Sequence, residues 1–173
     1  FILACFDGGV KGKSVGSKFF KDFRGKCCSC AWDRSVIEWR KESEKDMIFM
    51  KLENAEPQNI ERIVAISKAA FDSDLDVGAS EPDAPPDYDS IAWHIQMKNE
   101  GHLLQAVIDG EIVGGAILFL DKDGELLYIG RIFIDPIHYR KGYGLSLMKM
   151  VETYYSCIKK IKLDTPLWNV RTN

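Results

Sequence analysis

The chain has 173 residues, 46% hydrophobic and 28% charged, with a net charge of −3. That length suits one domain with a respectable buried core. The slight acidity argues against a nucleic-acid footprint or a basic membrane face, and no apolar run approaches the roughly 18–20 residues of a membrane span.

Residues 1–46 differ in character from the rest. They are net basic and cysteine-rich, and they show no sustained hydrophobic period. The apolar opening Phe1 to Phe6 is too short for a signal sequence and lacks its basic start and cleavage site. This segment is expected to be extra to the domain, either leader read in frame or the end of a larger protein. Within it, Asp7 to Ser14 looks like a nucleotide-binding loop, but Asp7 stands where the first glycine should be and would set a carboxylate beside the phosphates. Cys27 and Cys30 make one C-x-x-C pair without a second, so no metal site is expected. The five cysteines are odd in number and four fall in the first 30 residues. They do not suggest a secreted disulfide framework, and a reducing cytoplasm is the simplest home.

The core starts afresh at Met47, with a strand over Met47–Leu52. Ile60, Ile63, Val64, Ile66 and Ala69-Ala70 then recur at helix spacing within Gln58–Phe71. An acidic loop follows, with Asp72, Asp74, Asp76, Glu81, Asp83, Asp87 and Asp89, and no Lys or Arg from Ala69 to Met97. A shorter helix is expected over Asp89–Asn99, although Ile91, Trp93, Ile95 and Met97 leave its period ambiguous. Three antiparallel strands come next, His102–Ile108, Glu111–Leu120 and Glu125–Ile134. Asp109-Gly110 and Asp121 to Gly124 are the turns between them.

The third strand ends at Asp135-Pro136, and a basic glycine turn follows, Tyr139-Arg140-Lys141-Gly142-Tyr143-Gly144. A helical pattern then runs from Gly142 to Ile158, with Leu147, Met148, Val151, Tyr154, Tyr155 and Ile158 on one stripe. Ser146, Lys149, Glu152 and Thr153 lie on the other face. Strand, glycine turn and helix N-terminus together can hold a phosphate on free backbone N–H groups, helped by the helix dipole. A dinucleotide loop would want a third glycine where Leu147 stands, and a triphosphate loop would want Gly-Lys-Ser/Thr. A last strand is expected over Lys160–Asp164.

The turn resembles the R/Q-x-x-G-x-G/A pyrophosphate loop of the GNAT acyl-CoA N-acetyltransferases. The order of the neighbouring elements over residues 47–173 is similar to that family too, and the closing Leu163 to Trp168 stretch is similar to a bacterial subgroup. The resemblance implies an α/β (α+β) fold, a mixed, mostly antiparallel sheet flanked by helices, truncated at its C-terminal end. It implies transfer of an acetyl group from acetyl-CoA to a primary amine of a small-molecule or peptidyl acceptor, directly within a ternary complex, and is compatible with a homodimer. Ile132, Phe133 and Ile134 would pair with the pantetheine arm, and a backbone N–H of Phe133 or Ile134 would meet the oxyanion. Tyr139, Arg140, Lys141, Gly142, Tyr143, Gly144 and Leu145 would surround the pyrophosphate.

The departures from the family pattern concern catalysis. Tyr139 takes the place of the loop's Arg or Gln. The glutamate often found one residue before the position of Arg131 is Gly130, which leaves Glu125, acting through water, as the candidate base. His138 reads as a surface turn residue, and His94 and His102 as helix-face and strand-edge residues. Asn169 matches an asparagine that caps the next helix, and the thiolate-protonating tyrosine would follow about seven residues on, past Asn173. Tyr there implies an enzyme; Phe or Leu implies a non-catalytic acyl-CoA-binding or regulatory module of the same fold. The acidic loop, a wall of the acceptor site in this family, would draw a cationic amine.

Overall fold

The computed structural model describes residues 3–4, 16–20, 36–42, 47–77 and 84–165. Three strands precede Met47, namely β1 (Leu3–Ala4), β2 (Gly16–Phe20) and β3 (Val36–Glu42). After them come β4 (Met47–Asn54), α1 (Ile60–Asp72), α2 (Ile91–Asn99), β5 (Leu103–Ile108), β6 (Glu111–Leu120), β7 (Leu126–Ile134), α3 (Tyr143–Tyr154) and β8 (Lys160–Thr165). The strands form one mixed sheet in the order β2-β8-β7-β6-β5-β4-β3, and β1 pairs with β7 off this path. Every pairing is antiparallel except β7 with β8, which α3 connects as a crossover.

Alternating side chains give the sheet two apolar faces. One carries Met50, Leu52, Leu104, Leu118, Leu127 and Ile132 against Leu147 and Val151 of α3. The other carries Leu103, Ile117 and Phe133 against Ile63, Ile66 and Phe71 of α1 and Met97 of α2. Phe133 is fully buried, a contribution of about 1.5–3 kcal/mol for a side chain of this kind.

The hairpin between β5 and β6 turns through Asp109 and Gly110, both at positive φ (51° and 83°). α2 starts one residue after Ser90, whose hydroxyl oxygen accepts from Trp93 N at 3.2 Å. α3 is shorter than its apolar stripe suggests. It stops at Tyr154, and Ile158 reaches the core from the turn after it. Ser146, expected on the polar face, is buried instead, and its hydroxyl donates to Gly142 O at 3.1 Å. That local bond lets a serine sit at an inward position without an unmade bond.

A β-bulge in β7 decides which side chains face the α1–α2 side of the sheet. Ile117 pairs with Arg131 and its neighbour Leu118 pairs with Ile129, so Gly130 is an extra residue. The inserted residue reverses the alternation. Leu127 and Ile129 join the α3 face before it, as do Ile132 and Ile134 after it. Arg131 and Phe133 are turned to the α1–α2 side.

Asn169, the Asp7–Ser14 loop and Cys5, Cys27, Cys28 and Cys30 lie outside the described residues. Cys157 is a free, exposed thiol. Among the described residues no helix is long and apolar enough to cross a membrane, and no three His, Cys, Asp or Glu side chains gather as a metal site.

Candidate functional site

The glycine turn is built on Asp135, a buried residue at the end of β7. One carboxylate oxygen accepts from Ile137 N at 3.2 Å and starts the short 3-10 turn Pro136–His138. The other is 2.8 Å from Arg62 of α1, so the turn is anchored to a helix. The backbone then passes through Arg140 (φ 62°) and Gly142 (φ 84°), both left-handed. Gly142 is the N-cap of α3 and has no side chain to offer. Its carbonyl takes Ser146 N, which leaves the N–H groups of Tyr143, Gly144 and Leu145 as the open first turn. Arg140, Lys141 and Leu145 are exposed around it.

Two aromatic side chains of the turn point elsewhere. The Tyr139 hydroxyl is 3.2 Å from Ser73 Oγ, and its ring packs against both apolar clusters. Tyr143 is buried, with its ring 5.7 Å from that of His138. His138 Nδ1 is 3.2 Å from Lys141 Nζ.

Beside this turn the sheet forks. β8 pairs with β7 only from Leu126 to Tyr128 and then departs. Further along, the edge of β7 meets β1, with Leu3 opposite Ile132 and Ala4 opposite Arg131. On its other side β7 holds β6, with Gly115 opposite Phe133 and Gly114 opposite Ile134. Ile132, Phe133 and Ile134 thus stand together next to the turn. Glu125 is exposed just before the other end of β7 and is paired with Lys159.

On the α1–α2 side of the fork lies a cavity of about 450 Å³, walled in part by Pro86, Asp87, Trp93, Phe119, Tyr128 and Arg131. The Arg131 guanidinium lies 3.9 Å from the centre of the Trp93 ring. One terminal nitrogen donates to Pro86 O, and the other, Nη1, is buried without a partner. Burial pulls the pKa of Arg131 down to about 10, so the group remains charged at neutral pH. His94 is fully buried close by. Its Nδ1 is 2.8 Å from Ser90 O, which assigns the proton to that nitrogen, and Nε2 has no partner. Burial lowers the His94 pKa and keeps the ring neutral.

Within the acidic loop, Asp72 is held by Lys68 at 2.6 Å and by the Tyr88 hydroxyl at 2.8 Å, and Asp74 is buried. Asp87 and Asp89 are exposed; Glu81 and Asp83 lie outside the described residues. A larger groove of about 770 Å³, lined by Lys51, Glu53, Glu56 and Arg62 among others, touches none of the expected site residues.

The sequence pattern of the acetyltransferase (GNAT) family matches residues 60–172, well over half of the chain. The chain belongs to the GNAT family. Among solved structures, a putative acetyltransferase from Pyrococcus horikoshii is 18% identical with a TM-score of 0.49, over 82% of this chain and 42% of that one. The ribosomal-protein-S18-alanine N-acetyltransferase of Escherichia coli is 17% identical with a TM-score of 0.46, over 61% and 59%. The PaiA N-acetyltransferase of Thermoplasma acidophilum, in complex with coenzyme A, is 12% identical with a TM-score of 0.48, over 62% and 72%. This GNAT chain therefore spans less than two thirds of the length of the first two. No curated protein matches it.

Arg131 and Trp93, which wall the smaller cavity, stand outside the expected site residues. The signal is present, because Arg131 is the lone charge inside the apolar run Leu126–Ile134.

Proposed function

We propose that this GNAT protein transfers an acetyl group from acetyl-CoA to a primary amine. The observation that carries the reading is the open N-terminus of α3 beside the β7–β8 fork. The N–H groups of Tyr143, Gly144 and Leu145 would hold the pyrophosphate, and Gly142 leaves room for its approach. Arg140 and Lys141 add positive charge at the rim. The edge of β7 at Ile132, Phe133 and Ile134 would align the pantetheine arm, which requires β1 to yield its pairing at Ile132.

A backbone N–H of Phe133 or Ile134 then faces the oxygen of the thioester carbonyl. An amine held on the α1–α2 side attacks that carbon, a tetrahedral oxyanion forms, and the C–S bond breaks to release the CoA thiolate. Holding amine and thioester together can supply about 7–11 kcal/mol of the barrier. The attacking amine must lose a proton, and Glu125 could accept it only through intervening water, since it sits at the far end of β7.

A non-catalytic acyl-CoA-binding module is the second reading, and Gly130 favours it. A side chain there would meet the Phe119 ring, so the position offers no carboxylate. Calorimetry with acetyl-CoA, followed by thiol release with an amine panel, tests both readings. Binding that Gly142→Glu abolishes, together with amine-dependent thiol release, supports the enzyme. Binding without release under any amine supports the module, and no binding overturns both.

A further inference from the structure

We propose that the cavity beside Arg131 binds the carboxylate of the acceptor, so that the acceptor is a small amino-carboxylate such as a free amino acid. This rests on the acetyltransferase reading and adds the substrate class to it.

Arg131 is a charge in an unusual place. It is the lone charged residue of β7, and only 6% of it is exposed. The bulge at Gly130 turns it away from the α3 face and into the cavity wall. Arginine is almost never fully buried unless paired, because desolvating its charge is costly. Here one nitrogen has only a backbone carbonyl, Pro86 O, and Nη1 has nothing. Among the described residues no carboxylate comes within ion-pair distance of it, and Asp87 steadies its charge only from further off. Trp93 covers one face of the guanidinium, which fixes its plane. A flat, fixed cation with an unused N–H is suited to a flat anion with two oxygens, and the fork geometry of arginine matches a carboxylate.

The rest of the wall narrows the ligand further. Trp93, Phe119 and Tyr128 contribute aromatic surface, and Asp87 contributes one exposed carboxylate. Asp87 sits at φ 60°, held in the left-handed region by the turn before α2. A guanidinium and a carboxylate on one small aromatic cavity match a molecule that carries an ammonium and a carboxylate itself. A polyamine would satisfy Asp87 and the acidic loop but would meet Arg131 as a like charge.

The test is calorimetry on the full chain with a panel of free L-amino acids and the carboxamide of each, with and without coenzyme A. The expected result is that at least one amino acid binds and that its amide binds about ten-fold or more weakly. Arg131→Lys should weaken the amino acid by a similar factor and leave coenzyme A affinity within about two-fold, because lysine keeps the charge but loses the fork. Asp87→Asn should weaken the amino acid and its amide alike, since both carry the ammonium. Amides that bind as tightly as the acids would overturn the proposal, as would a wild-type chain that binds no amino acid. Failure of coenzyme A alone to bind would remove the acetyltransferase reading, while the acid-against-amide comparison would still decide the cavity.

Discussion

The ring of Phe119 lies 2.6 Å from where a Cβ on Gly130 would stand. Real Cβ atoms do not come so close, so one of the two must give way before the middle of β7 can carry any side chain. Gly130→Ala should therefore lower stability by about 1–3 kcal/mol, the usual cost of overpacking. Phe119→Ala in the same chain should remove most of that penalty. Urea unfolding of the two single variants and the double variant would read the coupling, and strictly additive losses would count against the contact.

Gly142 has a different constraint, its left-handed backbone at φ 84°. Gly142→Ala should cost about 1 kcal/mol of stability from strain alone. Gly142→Glu adds a carboxylate at the open end of α3. Its acetyl-CoA affinity should fall by more than about ten-fold beyond that of the alanine variant. Calorimetry on both variants separates strain from charge.

Asp135 joins the end of β7 to α1 and to the turn at once. Asp135→Ala leaves Ile137 N without its acceptor and should cost about 1–3 kcal/mol. Asp135→Asn keeps an oxygen for Ile137 N and gives up the charge opposite Arg62, so it should cost less. Equal losses in thermal unfolding would show that the ion pair, not the turn, dominates.

His94 makes the fold sensitive to acid. Burial holds its pKa below the ordinary 6.5, so as pH falls through 6.5 the unfolded chain takes up a proton that the folded ring refuses. This contribution is complete above pH 6.5 and is lost on the acid side of it. Urea midpoints should decline from pH 6.5 downward. His94→Asn should flatten that decline by about one proton's worth of slope, whatever it does to stability at neutral pH.

β1 stands at the fork, opposite Arg131 and Ile132. A chain lacking residues 1–15 keeps β2 and β3 but frees that edge of β7. Its acetyl-CoA affinity should rise several-fold, about 1 kcal/mol for a lost competing backbone bond. An unchanged dissociation constant would mean that β1 and the pantetheine arm do not compete.

The parts of this fold that show in the sequence are the ones set by neighbouring residues. Asp109-Gly110 reads as a hairpin because few pairs tolerate two consecutive positive φ angles. Gly142 reads as the start of α3 for a similar reason. α2 reads ambiguously because its pattern is weak: Ile91 and Ile95 are 46% and 44% exposed while His94 and Met97 face inward. The bulge at Gly130 depends on how β6 and β7 align, which no single segment encodes. The setting of Arg131 depends on Trp93 and Pro86, some forty residues upstream, so its partners show only once the chain is folded. The same holds for β1 and β2, whose partners are the distant β7 and β8.

That ordering of partners has a consequence for how the protein is made. β2 leaves the ribosome long before β8, yet Gly16 finds its place only opposite Thr165. Closing so distant a pair is slow, because the entropy of a very long loop is lost before the contact rewards it. Until then β2 is an unpaired strand waiting among other nascent chains, where a neighbouring copy could capture it. Yield in a cell would then hinge on synthesis rate and chaperone supply rather than on the strength of the finished fold.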